Sequence, residues 1–244
     1  MPAPHAPLPD YYETEANRSH WVRSIFDRTA GDYDRVERVL GLCTGSWYRR
    51  RALQRAGLKS GMAVLDIGTG TGLVAREAAV LVGDATRVTG VDPSSGMVEH
   101  AQVPAGVRLL AGSAEAIPCG DATADFLSMG YALRHISDLQ LAFAEFFRVL
   151  RPGGRLCLLE ITQPQSALGR AMLKGYLGGF VPAVAAAIAH HRDTPKLMRY
   201  YWDTIAACVP PASIIQALAS AGFVDVDRYV ELGVFSEYRA RKPG

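Results

Sequence analysis

The sequence predicts an α/β fold: a mixed seven-stranded sheet with a C-terminal antiparallel hairpin, an N-terminal helical cap and an inserted helical lid. Three observations carry this expectation. Strand-like apolar runs alternate with helical patterns from about Ala63 to Ile161, the order that builds a parallel sheet with right-handed crossovers. A glycine-rich turn, Gly68 to Gly72, joins the first of those strands to a helix. Near the C-terminus two strand-like runs, Phe223–Leu232 and Val234–Arg241, meet at Gly233, and so short a connection makes them antiparallel. A chain of 244 residues, 49% of them hydrophobic, has enough apolar surface for one such domain with a cap and a lid.

The elements follow in order. Residues 1–18 are proline-rich and acidic, unlike the basic-then-apolar pattern of a secretory leader, and are expected to form a mobile tail. Residues 19–244 read as a single domain. Its first part, 19–60, is a helical cap, with Val22, Ile25 and Phe26, then Val36, Val39 and Leu40, at helical spacing. Five strand–helix units come next, with strands at Ala63–Gly68, Arg87–Asp92, Val107–Ser113, Ala124–Gly130 and Arg155–Ile161, and a turn at Arg151–Gly154. Residues 164–203 are long, apolar and rich in Gly, Ala, Tyr and His, and are read as a lid or as helices that widen the core. The longest uncharged stretch, Gly175 to Ala189, has 15 residues and an internal Pro, short of the roughly 20 that span a bilayer. A cytoplasmic location is the expectation.

Composition excludes several classes. A net charge of +2 gives no global signal for nucleic acid. The charge is uneven, since Arg18 to Lys59 hold ten Lys or Arg against four acids. That is either a solvated helical face or an edge that meets anionic lipid or an acidic substrate. Cys43, Cys119, Cys157 and Cys208 form no C-x-x-C pair, so neither a zinc site nor a disulfide framework is expected. No metal cluster is visible, and metal independence is expected.

The glycine turn separates one nucleotide cofactor from another. A dinucleotide fingerprint needs G-x-G-x-x-G, with a pyrophosphate on the helix N-terminus. Here the spacing is G-x-G-x-G, with Asp66 two residues before the first Gly. That carboxylate would repel a pyrophosphate and suits a ligand with an ammonium group. S-adenosylmethionine (SAM) carries one, and a sulfonium besides. Asp92 ends the next strand, 20 residues after Gly72, where a carboxylate can accept ribose hydroxyls. The plainer reading of Asp92 is a helix N-cap.

These segments, with FDRTAGDYD (Phe26 to Asp34), VDPSSGMV (Val91 to Val98), GSAEAIP (Gly112 to Pro118), YALRHI (Tyr131 to Ile136) and FFRVLRPGGRLCLLEI (Phe146 to Ile161), resemble class I SAM-dependent methyltransferases. More narrowly, the chain is similar to the ubiquinone/menaquinone C-methyltransferase family over roughly residues 26 to 162, and more weakly at Leu218 to Val226. The resemblance implies a Rossmann-like sheet ending in the hairpin. It places the turn residues Asp66, Gly68, Thr69, Gly70 and Gly72 at the amino acid end of SAM, with Asp66 near the ammonium. Asp92 and Pro93 fall at the ribose. Met97 would lie flat on the adenine, and Ser113 and Ala114 would read its edge; many family members have Asp or Asn at the Ser113 position. Met129 ends the fourth strand beside the cofactor. Tyr33 matches a family tyrosine that reaches the cofactor carboxylate from the cap.

On the acceptor side, Tyr131, Arg134 and His135 leave the fourth strand and are expected to face the substrate. Arg134 matches the family's Arg, whose natural task is to hold a phenolate or enolate oxygen. His135 stands where the family has Asn; it reads either as a base or as a packing residue. His190 and His191 in the lid are an alternative base. The implied acceptor is a small aromatic or quinone-like molecule, with peripheral membrane contact and a homodimer both open. A tailoring N- or O-methyltransferase of secondary metabolism and a SAM-binding protein without catalysis remain as other readings. A nucleic-acid methyltransferase lacks its N/D-P-P-Y/F/W motif here, where the chain reads GYAL.

Overall fold

Parallel pairing brings the C-terminal ends of five strands to one edge of the sheet, and that edge carries the site. The computed structural model describes residues 3–40 and 45–244; Cys43 lies outside them. The sheet has seven strands in the order β3-β2-β1-β4-β5-β7-β6. They are β1 (Val64–Ile67), β2 (Val88–Asp92), β3 (Arg108–Ala111), β4 (Ala124–Gly130), β5 (Leu150–Ile161), β6 (Val224–Glu231) and β7 (Phe235–Arg241). The first five pair in parallel, and β7 runs antiparallel to both β5 and β6. Every residue of β1 and β2 is buried, as strands covered on both faces require.

Helices α3 (Leu73–Val82) and α2 (Gly45–Arg55) cover one face, packing Leu53, Val74 and Ala75 on Phe126. Helices α5 (Leu139–Val149) and α9 (Pro211–Ser220) cover the other, with Phe143, Phe146 and Leu218 against Leu127 and Leu156. Asp138 caps α5 by accepting from the Gln140 and Leu141 N–H groups at 2.8 and 3.1 Å. A third core joins the cap to the lid: Ile25 and Val36 of α1 (Glu15–Leu40) meet Val181 and Ala185 of α7 (Val181–Ile188) and Leu197 of α8 (Thr194–Ala207).

Four expectations change. The supposed mobile tail is docked: His5 and Tyr12 are buried, and the Val209 N–H donates to the Pro4 carbonyl at 2.8 Å. The first cap helix starts at Glu15 rather than Ser19. Between β3 and β4 the chain forms turns and a Ser113–Ala116 bridge in place of a helix. Strand β5 begins at Leu150 and absorbs the expected turn at Arg151–Gly154, with a register shift at Ala124/Phe126. The lid is helical: α6 (Ala167–Leu173), a π-helical segment at Lys174–Phe180, then α7 and α8.

Candidate active site

The glycine turn is shaped by its backbone. Gly68 and Gly70 have φ of 64° and 56°, values that L side chains rarely adopt. A Cβ on Gly68 would lie 2.6 Å from the Ala132 Cβ, so this Gly lets the turn meet the segment that follows β4. Space beside Gly70 is open. Its N–H donates to Asp92 at 2.7 Å, and the Ser94 N–H donates to the other Asp92 oxygen at 2.8 Å. Asp92 is therefore fixed from both sides, and each oxygen keeps acceptor capacity for a ligand.

These groups line one cavity, partly open to solvent, at the C-terminal edge of the strands. The position matches the rule for ligands in open α/β sheets. Gly68, Gly70, Asp92, Pro93, Met97, Ser113, Ala114, Met129, Tyr33, Tyr131 and His135 all line it, as their sequence positions suggest. The apolar Met97 and Ala114, the open Gly70 and the buried Asp92 suit an adenosine with a cationic tail.

Other expected residues stand elsewhere. Asp66, Thr69, Gly72 and Arg134 do not line the cavity. Asp66 sits behind the turn, 1% exposed, accepting from the Thr69 hydroxyl and the Ser128 hydroxyl at 2.7 Å each. It sets the shape and potential of the turn rather than touching a ligand. Gly72 takes the left-handed N-cap position of α3, where a Cβ would meet Val103. Burial pushes the Asp66 and Asp92 carboxyls up to about 6 each, and the Asp92 charge adds to the rise at Asp66.

Arg134 departs most from expectation. The chain leaves β4 through Tyr131, at a φ of 60°, and tightens into a short turn at Leu133–His135. That turn sends Tyr131 and His135 to the cavity and buries Leu133 and Arg134. Arg134 is 2% exposed, paired with Glu160 of β5, and its Nε donates to the Thr204 hydroxyl of α8 at 3.2 Å. Its carbonyl accepts from Arg18 at 2.7 Å. A side chain so committed ties β4, β5 and the lid together; it does not reach the cavity.

His135 faces the cavity from this turn. Its Nδ1 is 3.3 Å from the Tyr200 hydroxyl, and its ring meets Phe26 edge-on at 5.2 Å. Its Nε2 is buried and has no hydrogen-bond partner among the described residues. Burial first, and then the positive charge of Arg134 and Arg18, hold the imidazole well below its usual range, so it is neutral. His190 and His191 serve a different purpose. Their backbone N–H groups donate to Asp32 at 2.9 and 2.7 Å and bind the lid to α1; neither lines the cavity.

The FDRTAGDYD stretch divides its labour along α1. Phe26 and Tyr33 line the cavity. Asp27 accepts from the Ser94 hydroxyl at 2.6 Å and the Gly96 N–H at 3.0 Å, fixing α1 on α4 (Ser95–Glu99). Asp34 holds Thr71 of the glycine turn, and Asp32 holds the lid. Sequence reasoning missed Arg23, Glu115 and Tyr201 as lining residues. Glu115 lay inside the matched GSAEAIP segment, a signal that could have found it. Tyr201 lies in YYWDTI, far along the chain, and only α8 brings it to share a hydrogen bond with Tyr33.

Comparison with known proteins agrees with this geometry. The ubiE/COQ5 methyltransferase family matches residues 13–242. A demethylmenaquinone methyltransferase of Mycolicibacterium paratuberculosis is 31% identical over 91% of this chain and 94% of its own length. That of Beutenbergia cavernae is 32% identical over 91% of each chain. Among solved structures, a SAM-dependent methyltransferase from Thermotoga maritima covers 90% of this chain and 98% of its own at a TM-score of 0.62 and 22% identity. Haemonchus contortus phosphoethanolamine N-methyltransferase 2, in complex with SAM, covers 81% of this chain and 52% of its own at a TM-score of 0.58 and 18% identity. The chain belongs to the ubiE/COQ5 methyltransferase family and is a SAM-dependent small-molecule methyltransferase.

Proposed function

We propose that the protein methylates a ring carbon of a hydroquinone or similar phenolic acceptor. One observation carries this: the part of the cavity beyond the cofactor turn is walled by Phe26, Tyr33, Tyr131 and Tyr201, with neutral His135 among them. Aromatic walls suit a flat ring, and an uncharged imidazole leaves that wall without a fixed charge. The relatives are demethylmenaquinone methyltransferases, which supports the same acceptor class.

SAM, when bound, supplies an electrophilic methyl group on sulfonium. Asp92 binds its ribose, Met97 and Ala114 flank its base, and Asp66 supplies negative potential behind the turn. The chain's remaining work is positioning and proton movement. The His135 ring would hold the acceptor from the cavity wall, and the hydroxyl proton would leave to solvent through the open side of the cavity. The ring carbon beside that oxygen would be the nucleophile, held by the aromatic walls toward the methyl group that bound SAM would supply. Loss of that carbon's own proton restores the aromatic ring. Positioning supplies about 7–11 kcal/mol, more than the 10²–10⁴-fold of a general base.

The test is incubation with SAM and a short-chain 1,4-naphthoquinol that carries one open ring carbon. Mass spectrometry and NMR should find one methyl group on that carbon. A methyl ether, an N-methylated amine panel member as preferred product, or no turnover would overturn the assignment.

A further inference from the structure

From Ala167 to Ile188 the lid is one helical run of 22 residues, with a mean hydropathy of 1.5 in its most apolar window and 17% of that window buried. By length and composition it could cross a membrane. The uncharged stretch from Gly175 to Ala189 understates it, because the helix reaches back through Lys174 and Arg170. Its exposed side is specific. Leu168, Met172, Tyr176 and Phe180 recur every four residues and are 73%, 67%, 40% and 57% exposed. The π turn over Lys174–Phe180 is wider than an α turn, and it keeps such a spacing on one side of the helix. The Tyr176 and Phe180 rings stack at 5.8 Å. Contiguous exposed apolar surface of this kind marks an interaction site.

The C-terminal half of the run is held by the protein. Val181 and Ala185 are buried with Ile25, Val36 and Leu197, and a Cβ at Gly178 would lie 3.1 Å from the Trp202 indole. We propose that the Leu168–Met172–Tyr176–Phe180 row is an in-plane docking surface for an anionic lipid bilayer. The run holds two cations, Arg170 and Lys174, both exposed, and no acid. By helical advance they fall about 200° from Leu168 and Met172, which gives the helix an apolar face and a basic one. Residues 164–203 as a whole carry five Lys or Arg against two acids. That charge complements anionic headgroups around a helix lying in the interface plane. A spanning helix would have to abandon Val181 and Ala185 in the lid core. The run packs on α8, which gives Tyr201 to the cavity, so a lipid-tailed acceptor would meet the site at the bilayer surface.

The inference stands on this surface and not on the identity of the acceptor. The test is flotation of the full chain with phosphatidylglycerol/phosphatidylcholine vesicles and with phosphatidylcholine alone. Binding should be at least tenfold tighter to the anionic vesicles, and Leu168→Glu with Phe180→Glu should weaken it at least tenfold. S-adenosylhomocysteine affinity and turnover of a short-chain quinol should stay unchanged in that variant, which shows that it folds. Absence of vesicle binding, unaltered binding by the variant, or resistance to carbonate extraction would overturn the proposal. A dimer that the variant dissociates, without vesicle binding, would assign the face to a second copy and overturn it too. Vesicle binding without quinol methylation would sink the acceptor assignment and leave the surface intact.

Discussion

The buried carboxylates of the cofactor end and of the lid end are treated in opposite ways. Among the described residues no cation is paired with Asp66 or Asp92; hydroxyl and backbone donors hold them, and burial still drives both up to about 6. At the lid end, Glu160 is paired with Arg134. Burial alone would raise Asp32 as well, but donors from His190, His191 and Thr194 outweigh it and hold that carboxyl below its usual range. Asp32 is held charged by its donors, whereas the two carboxylates at the glycine turn resist ionisation, a cost that a cationic ligand beside them would relieve.

Arg134 offers the hardest way to break this comparison. Arg134→Ala strands Glu160 as a buried charge, which costs about 3–5 kcal/mol. At 2–4 °C per kcal/mol for a chain of this size, Tm should fall by roughly 6–20 °C. An unchanged melting temperature with only kcat lost would return Arg134 to direct acceptor contact. The next effect in size belongs to His135. His135→Asn should lower kcat about 10²-fold and leave S-adenosylhomocysteine affinity unchanged by calorimetry. Because the imidazole is neutral to well below its usual range, the wild-type rate should show no acid limb near 6.5. Full activity of the Asn variant would reduce His135 to packing.

A smaller and sharper test is Asp66→Asn. A carboxyl whose folded pKa is raised binds more protons in the folded than in the unfolded state. Its contribution therefore falls as pH climbs from about 4 to about 6, by on the order of 3 kcal/mol per carboxyl. Without ligand, these two groups should make the protein less stable at pH 7 than at pH 5.5. The Asn variant removes one of them, so its ligand-free Tm should rise by a few degrees while SAM affinity drops about fivefold. Calorimetry should also find that SAM binding releases protons near pH 6 and weakens below it. Tighter binding at pH 5, or a variant that loses stability, would show that the turn is not strained by charge.

The same contrast explains what the sequence made legible. The cofactor end is written locally: Gly68, Gly70 and Asp92 sit at strand ends, where strand–turn–helix order alone predicts their location. The sheet and its hairpin were legible for the same reason, since period and punctuation are local signals. The acceptor end is assembled from α1, the turn after β4 and α8, three elements separated by about a hundred residues or more of chain between the outer two. Whether Arg134 or His135 faces the cavity depends on the tight turn begun by Tyr131, and no spacing rule carries that. The docked N-terminus was hidden because His5 and Tyr12 find their burial against α1, the lid and the turn after β4, not in their own composition.

Asp32 gives the smallest effect and the cleanest sign. Asp32→Asn keeps one acceptor oxygen for the His190, His191 and Thr194 donors, so the loss should be about 1 kcal/mol, or roughly 2–4 °C in Tm. A depressed carboxyl stabilises the fold above its unfolded pKa, and that benefit disappears as pH falls through the lower folded value. The gap between wild type and variant should therefore be constant from pH 5 to pH 8 and close only below about 4, the opposite of Asp66. Hydrogen exchange should quicken over Val181–Ile188 and the start of α8 in the variant and remain unaltered over β1 and β2. Faster exchange in the strands, or a gap that closes near pH 6, would mean that lid and cofactor site share one electrostatic unit and that the division between them is false.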